Sequence, residues 1–132
     1  MKVKRFKDFL KESEQIDYMT KTLYRPVNEA ELKLVELSGW SKFPPRLPEQ
    51  PIFYPVMNLE YAIQIASQWN VPAYGSGFVL QFDVDSNYLK RFNVENVGGE
   101  IHNELWIPSD ELEEFNNHIV GKIRLCASLY NT

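Results

Sequence analysis

From Gly77 to Val84 the side chains alternate. Phe78, Leu80, Phe82 and Val84 fall on one face of an extended chain, and Val79, Gln81 and Asp83 on the other. A period of two predicts a strand with one face toward a core. Elsewhere the apolar spacing is three to four. Leu59, Ala62, Ile63, Ala66 and Trp69 form a stripe on a helix that Asn58 caps and Pro72 stops. Leu32, Val35 and Leu37 give the apolar face of another helix, which opens at Asn28 with Glu31 in the capping-box position and ends at Gly39. Val3, Phe6, Phe9 and Leu10 predict a further amphipathic helix over 3–16 with its Lys and Glu outward.

The remaining segments read as strands and connections. The run MTKTLYRPV is rich in β-branched and aromatic residues and predicts a strand ending at Pro26. PIFYPVM is a short strand, SNYLKRF a turn or short helix, and IVGKIRLCASLY a long closing strand. After the break at Gly98-Gly99 comes a strand over 100–108, and Ser109 caps a short helix over 110–118. The stretch from Ser41 to Pro51 holds four of the eight prolines, so it is neither regular helix nor inner strand. It is too short to separate a pair of domains and reads as a long surface loop. No repeat or low-complexity segment interrupts the pattern. The fold class is α+β with more strand than helix, in a single domain over 1–132.

Composition narrows the classes of function. The chain has 132 residues, 44% of them apolar and 24% charged, which suits one folded domain. Fourteen Lys and Arg against 18 Asp and Glu leave a net charge of -4. That excludes general nucleic-acid binding, which needs a net basic face to displace counterions. Cys126 is the one cysteine, so no internal disulfide forms, and its apolar strand suggests an inert core thiol. No apolar run reaches membrane-spanning length, and the basic N-terminus lacks the apolar segment of a signal peptide. The expectation is a cytoplasmic protein with no membrane partner.

Chemistry concentrates between Glu100 and Pro108. On a strand, Glu100, His102, Glu104 and Trp106 share one face, while Ile101, Leu105 and Ile107 share the other, with Asn103 the exception. A solvated strand face is polar too. Two features favour a site: the Gly98-Gly99 pair, which allows close backbone approach, and a large indole among polar neighbours. Glu100, His102, Glu104 and His118 match no closed metal motif, so no metal is expected. No nucleophile-elbow motif is present.

Three pieces of the chain, in order, resemble the ADP-ribosyltransferase superfamily. Leu23-Tyr24-Arg25 looks like the first-strand Arg of the branch built on Arg, a Ser-bearing strand and Glu. Ile52-Phe53-Tyr54 followed by Asn58-Leu59-Glu60-Tyr61-Ala62 is similar to the second strand running into a helix with a buried Ala. Glu104-Leu105-Trp106-Ile107-Pro108 looks like the late strand that carries the catalytic Glu. The chain departs from the pattern in two places. The second strand offers no hydroxyl except Tyr54, and His102 stands where protein-modifying members often have Glu or Gln.

The resemblance implies a small, mainly antiparallel sheet split around a cleft, with flanking short helices and NAD as substrate. Cleavage of the nicotinamide–ribose bond passes through an oxocarbenium-like transition state, as in glycoside hydrolysis. Glu104 would stabilise that charge, and Arg25 would hold a phosphate or ribose of the dinucleotide. Tyr54, Asn58, His102 and Trp106 would complete the cofactor site, the aromatics by stacking. Leu23 and Val27 flank Arg25 on its own face, so its charge needs a partner: the cofactor, or a carboxylate within the sheet. Glu100 lies about 13 Å from Glu104 along a continuous strand, too far to share one anomeric carbon. The proline-rich loop would border the cleft. The resemblance leaves open an NAD-using transferase with a protein acceptor, an NAD glycohydrolase, or an inactive interaction or regulatory module on the same fold with a protein partner. A third class is a small α+β domain of unrelated fold whose polar strand face is only solvated.

Overall fold

The computed structural model describes residues 19–131. The helix expected over 3–16 lies outside the described residues. Strand β1, Thr20–Val27, pairs antiparallel with β3, Ser76–Asp85, and β3 pairs with β7, Ile119–Tyr130. Two smaller ribbons complete the strands: β2, Ile52–Phe53, with β6, Ile107–Pro108, and β4, Val94–Asn96, with β5, Asn103–Leu105. Helix α1, Glu29–Leu37, follows β1; α2, Leu59–Ile65, continues through a π turn over Ala66–Asn70 into α3, Val71–Tyr74. Short helices α4, Ser86–Leu89, and α5, Leu112–Asn117, flank the later strands. The architecture is α+β with small antiparallel sheets. No described helix is long and apolar enough to cross a membrane.

The central strand β3 is covered on both faces, whereas β7 at the sheet's edge is mostly exposed. Leu80, Phe82 and Val84 of β3 are fully buried on one face and Phe78 nearly so, packed with Leu23, Val27, Phe43, Phe53 and Phe115. Val79 is fully buried on the other face, beneath Val56, Ala62 and Ala66. The period of two therefore holds, although the second face is apolar at its centre. Close packing at this second face explains Gly77. A Cβ there would lie 2.8 Å from the Asn70 Cβ and 3.0 Å from the Ala66 carbonyl oxygen.

The π turn accounts for two corrections to the sequence reading. Pro72 does not stop the helix. It sits in the first turn of α3, where a missing N–H costs little, and the chain turns out only at Gly75, whose φ is 80°. Ala62 and Ala66 are buried as the stripe requires, but Leu59, Ile63 and Trp69 are exposed, Trp69 by 72%. One extra residue in a turn rotates the following side chains by roughly 100°, which carries Trp69 off the stripe.

Other expectations shift at element ends. Strand β1 runs one residue past Pro26, because Val27 still pairs with Phe78. In α1, Asn28 caps as expected, its Oδ1 accepting the Glu31 N–H at 2.9 Å, but Leu37 is exposed in the last turn. The expected strand over 51–57 shrinks to β2 and a single residue, Val56, that makes isolated bridges to Tyr24 and Glu104. The expected strand over 100–108 breaks into a turn at Glu100-Ile101, then β5, then β6. Ser109 makes no side-chain cap, and its N–H donates instead to the Pro51 carbonyl at 2.8 Å. Cys126 is exposed on β7 rather than a core thiol, and partial burial still raises its pKa.

Candidate functional site

A cleft of about 770 Å³ lies between two walls. One wall is the opening of α1 with the loop around Pro44 to Gln50. The other runs from Tyr61 through the π turn to Tyr74. Arg25 of β1 and Glu104 of β5 both reach it.

The cationic side of the cleft begins with β1. Leu23 and Val27 are drawn into the core, and Arg25, sharing their face, is only 6% exposed. Its Nε donates to Glu31 Oε2 at 2.6 Å and its Nη2 to Glu31 Oε1 at 2.9 Å, a bidentate pair. The guanidinium also lies over the Phe53 ring, 4.6 Å from its centroid. Arg25 thus has the partner that its buried position demands, a carboxylate from the first turn of α1.

A second arginine comes from the proline-rich loop, which is irregular and borders the cleft. Buried Phe43 anchors this loop, and the Asn116 side chain clamps the Phe43 backbone, accepting its N–H at 2.9 Å and donating to its carbonyl at 3.0 Å. Pro44 and Pro45 then fix the direction in which Arg46 leaves. The Arg46 side chain is 10% exposed, and its Nη1 lies 4.0 Å from Glu31 Oε1. Its Nε is buried with no hydrogen-bond partner among the described residues. Burial, and next the charge of Arg25, lower its pKa.

The anionic side is built on β5. Val56 bridges Tyr24 of β1 to Glu104, so these three share one row across the sheet. Arg25, one residue on from Tyr24, belongs to the opposite face. Both side chains reach the cleft because the sheet is interrupted between β1 and β5: a single bridged residue replaces a full strand, and Tyr54 is exposed beside it. Glu104 is 8% exposed and both its oxygens accept hydrogen bonds, Oε2 from the Tyr61 hydroxyl at 2.9 Å and Oε1 from Trp106 Nε1 at 2.7 Å. Burial, then the bond to Glu104, push the Tyr61 pKa up to about 12. Tyr54, exposed on the cleft wall, lies in the same cleft as both Arg46 and Tyr61.

Of the residues singled out in the sequence, Arg25, Tyr54 and Glu104 line the cleft, whereas Asn58, His102 and Trp106 do not. The Asn58 side chain is spent on capping α2, accepting the Tyr61 N–H at 3.3 Å. His102 has both ring nitrogens engaged. Nδ1 accepts the Gly99 N–H at 2.9 Å, which leaves the proton on Nε2, facing Gln64 Oε1 at 2.9 Å. Trp106 reaches Glu104 with its N–H, and the residue as a whole is 46% exposed. Glu100 is exposed in a turn, so the strand spacing to Glu104 does not apply. The close approach expected of Gly98-Gly99 is used locally, because a Cβ on Gly99 would lie 2.9 Å from His102 Nδ1.

Cleft residues that escaped the sequence reading include Glu31, seen only within a cap; Arg46, in a loop without periodicity; Tyr61, quoted only within a motif; Trp69, assigned to a core; and Tyr74. The spacing of Arg25 and Glu31 carried a signal, since a buried arginine at a strand end needs a carboxylate from whatever element follows. Chemically, the cleft offers guanidinium groups, a buried carboxylate held by two donors, and exposed rings of Tyr54, Trp69 and Tyr74. That combination suits a ligand carrying both an anionic group and an aromatic ring. Comparison with family models, curated proteins and solved structures found no match.

Proposed function

We propose that the cleft binds NAD and that the chain cleaves its nicotinamide–ribose bond, passing ADP-ribose to a protein acceptor or to water. The supporting observation is Glu104, a buried carboxylate fixed by Tyr61 and Trp106 on the wall of a cleft that also carries guanidinium groups. When the glycosidic bond breaks, its electron pair leaves with nicotinamide and positive charge develops on the ribose. A carboxylate already oriented and partly shielded from water stabilises that charge without reorganising at the moment of reaction. The incoming nucleophile bonds to the anomeric carbon and releases its proton to solvent, so that the products are neutral nicotinamide, the ADP-ribosyl adduct and one proton.

Nicotinamide release by the full chain tests this reading. Glu104→Gln keeps the shape and most hydrogen bonds but removes the charge. Release is expected to fall by on the order of 10²-fold or more while the fold is retained. Equal release in Glu104→Gln and parent refutes the catalytic role.

A second reading, a non-catalytic interaction module, draws on one observation: Glu104 and Arg25 already have their partners within the protein. NAD binding by the parent without nicotinamide release favours this module.

A further inference from the structure

We infer that Arg46 holds a phosphate group of the bound ligand, so that the proline-rich loop rather than β1 supplies the anion subsite of the cleft. The charge count around it carries the argument. Arg25 and Arg46 are both buried and share one carboxylate, Glu31. Arg25 takes both Glu31 oxygens at hydrogen-bond distance, and Arg46 approaches only to 4.0 Å. The group of three therefore keeps one positive charge in excess, on a side chain that is nine-tenths buried. A charge in such a place is costly unless an anion accompanies it. Glu104 keeps its own charge, held by the neutral donors of Tyr61 and Trp106, but makes no ion pair with Arg46, whose one carboxylate neighbour among the described ion pairs is Glu31.

The surroundings fit a phosphate. Arg46 lines the cleft, and the Asn116 clamp with two flanking prolines sets its position before any ligand arrives. Burial beside Arg25 depresses its pKa, the signature of a cation short of counter-charge. A guanidinium also presents a planar fork of donors that matches phosphate oxygens. The proposal rests on the NAD reading for which molecule brings the phosphate, and not for the subsite itself.

Calorimetric titration of the full chain tests it, with NAD, ADP-ribose, nicotinamide riboside and inorganic diphosphate as probes. In Arg46→Gln the Kd for NAD, ADP-ribose and diphosphate is expected to rise tenfold or more, about 1.4 kcal/mol. Nicotinamide riboside, which carries no phosphate, should bind parent and variant alike. Without ligand, the thermal midpoint of Arg46→Gln is expected to stay level or rise, because a poorly paired buried cation has been removed. Diphosphate binding that depends on Arg46, with no NAD binding, upholds the subsite and overturns the NAD reading. NAD binding within twofold of the parent in Arg46→Gln overturns the subsite and leaves the NAD reading intact. Absence of binding by every phosphate probe overturns both. If Arg46→Gln does not fold, Arg46→Lys and Arg46→Met are titrated in its place. A lowered thermal midpoint in both, with unchanged affinities, assigns Arg46 a structural role and overturns the proposal.

Discussion

Replacing Glu31 by Gln removes the carboxylate that two buried guanidiniums share. The side chains of Arg25, Arg46 and Glu31 are only 7%, 10% and 17% exposed, so water does little to screen them. Surface ion pairs contribute about 0–1 kcal/mol, whereas removing one partner of a buried pair costs about 3–5 kcal/mol. A domain holds about 5–15 kcal/mol of stability in total, so Glu31→Gln is expected to remove about a fifth of it or more. Urea unfolding followed by tryptophan fluorescence measures the loss. Adding Arg46→Met to Glu31→Gln should restore about 1 kcal/mol or more, since one of two unpaired cations leaves with it. A loss below about 1 kcal/mol in Glu31→Gln, unchanged by Arg46→Met, would show that solvent reaches these charges. The charge argument for Arg46 would then fail as well.

Gly77→Ala is expected to cost about 1–3 kcal/mol in chemical denaturation, because the new methyl meets Asn70 and the Ala66 backbone at 2.8 and 3.0 Å and the π turn must move; a neutral result would mean that the helix slides freely over β3. Tyr61 is expected to titrate at about 12 in ¹³C NMR of its Cζ, and Glu104→Gln should bring that value partway down, with burial still holding it above 10. Its folded pKa lies above the unfolded value of about 10, so the stability it contributes is complete below about pH 10 and is lost as pH rises toward about 12. An unchanged Tyr61 titration in Glu104→Gln would refute the coupling.

Local pattern made much of the fold legible. Phe78, Leu80, Phe82 and Val84 lie on a core face as their spacing requires, and Asn28 and Asn58 cap helices as their type and place require. Failures cluster where tertiary packing decides. Nothing in the run from Leu59 to Tyr74 marks a widened turn, because a π turn is set by how the helix seats on Gly77 and Val79 of β3. Glu100 to Pro108 alternates well enough for one strand, yet its ends are held by different partners, β4 at one end and β2 at the other. At the site, Arg25 was readable because it stands between Leu23 and Val27 on an apolar face, whereas Glu104 lay in a polar row with Glu100, His102 and Trp106 and was marked out by the resemblance. Arg46 sits among prolines, where burial leaves no periodic trace. The hydrogen bonds of His102 and Trp106 could not be read from strand alternation, which fixes a face and not a partner.

The bridge at Val56 divides the sheet mechanically. Four backbone hydrogen bonds join its segment to both sides: two with Tyr24, one from Met57 to Asn103 and one from Leu105 to Pro55. Beyond it the β4–β5 ribbon carries Glu104, while the two guanidiniums belong to the side of β1 and its loop. Amide exchange should therefore separate two cooperative units, with the seam opening at lower free energy than the long ladder of β3 and β7. Such an opening would vary the distance from carboxylate to guanidiniums while each half stays folded. A ligand touching both halves would act as a crosslink across the weakest line of the sheet.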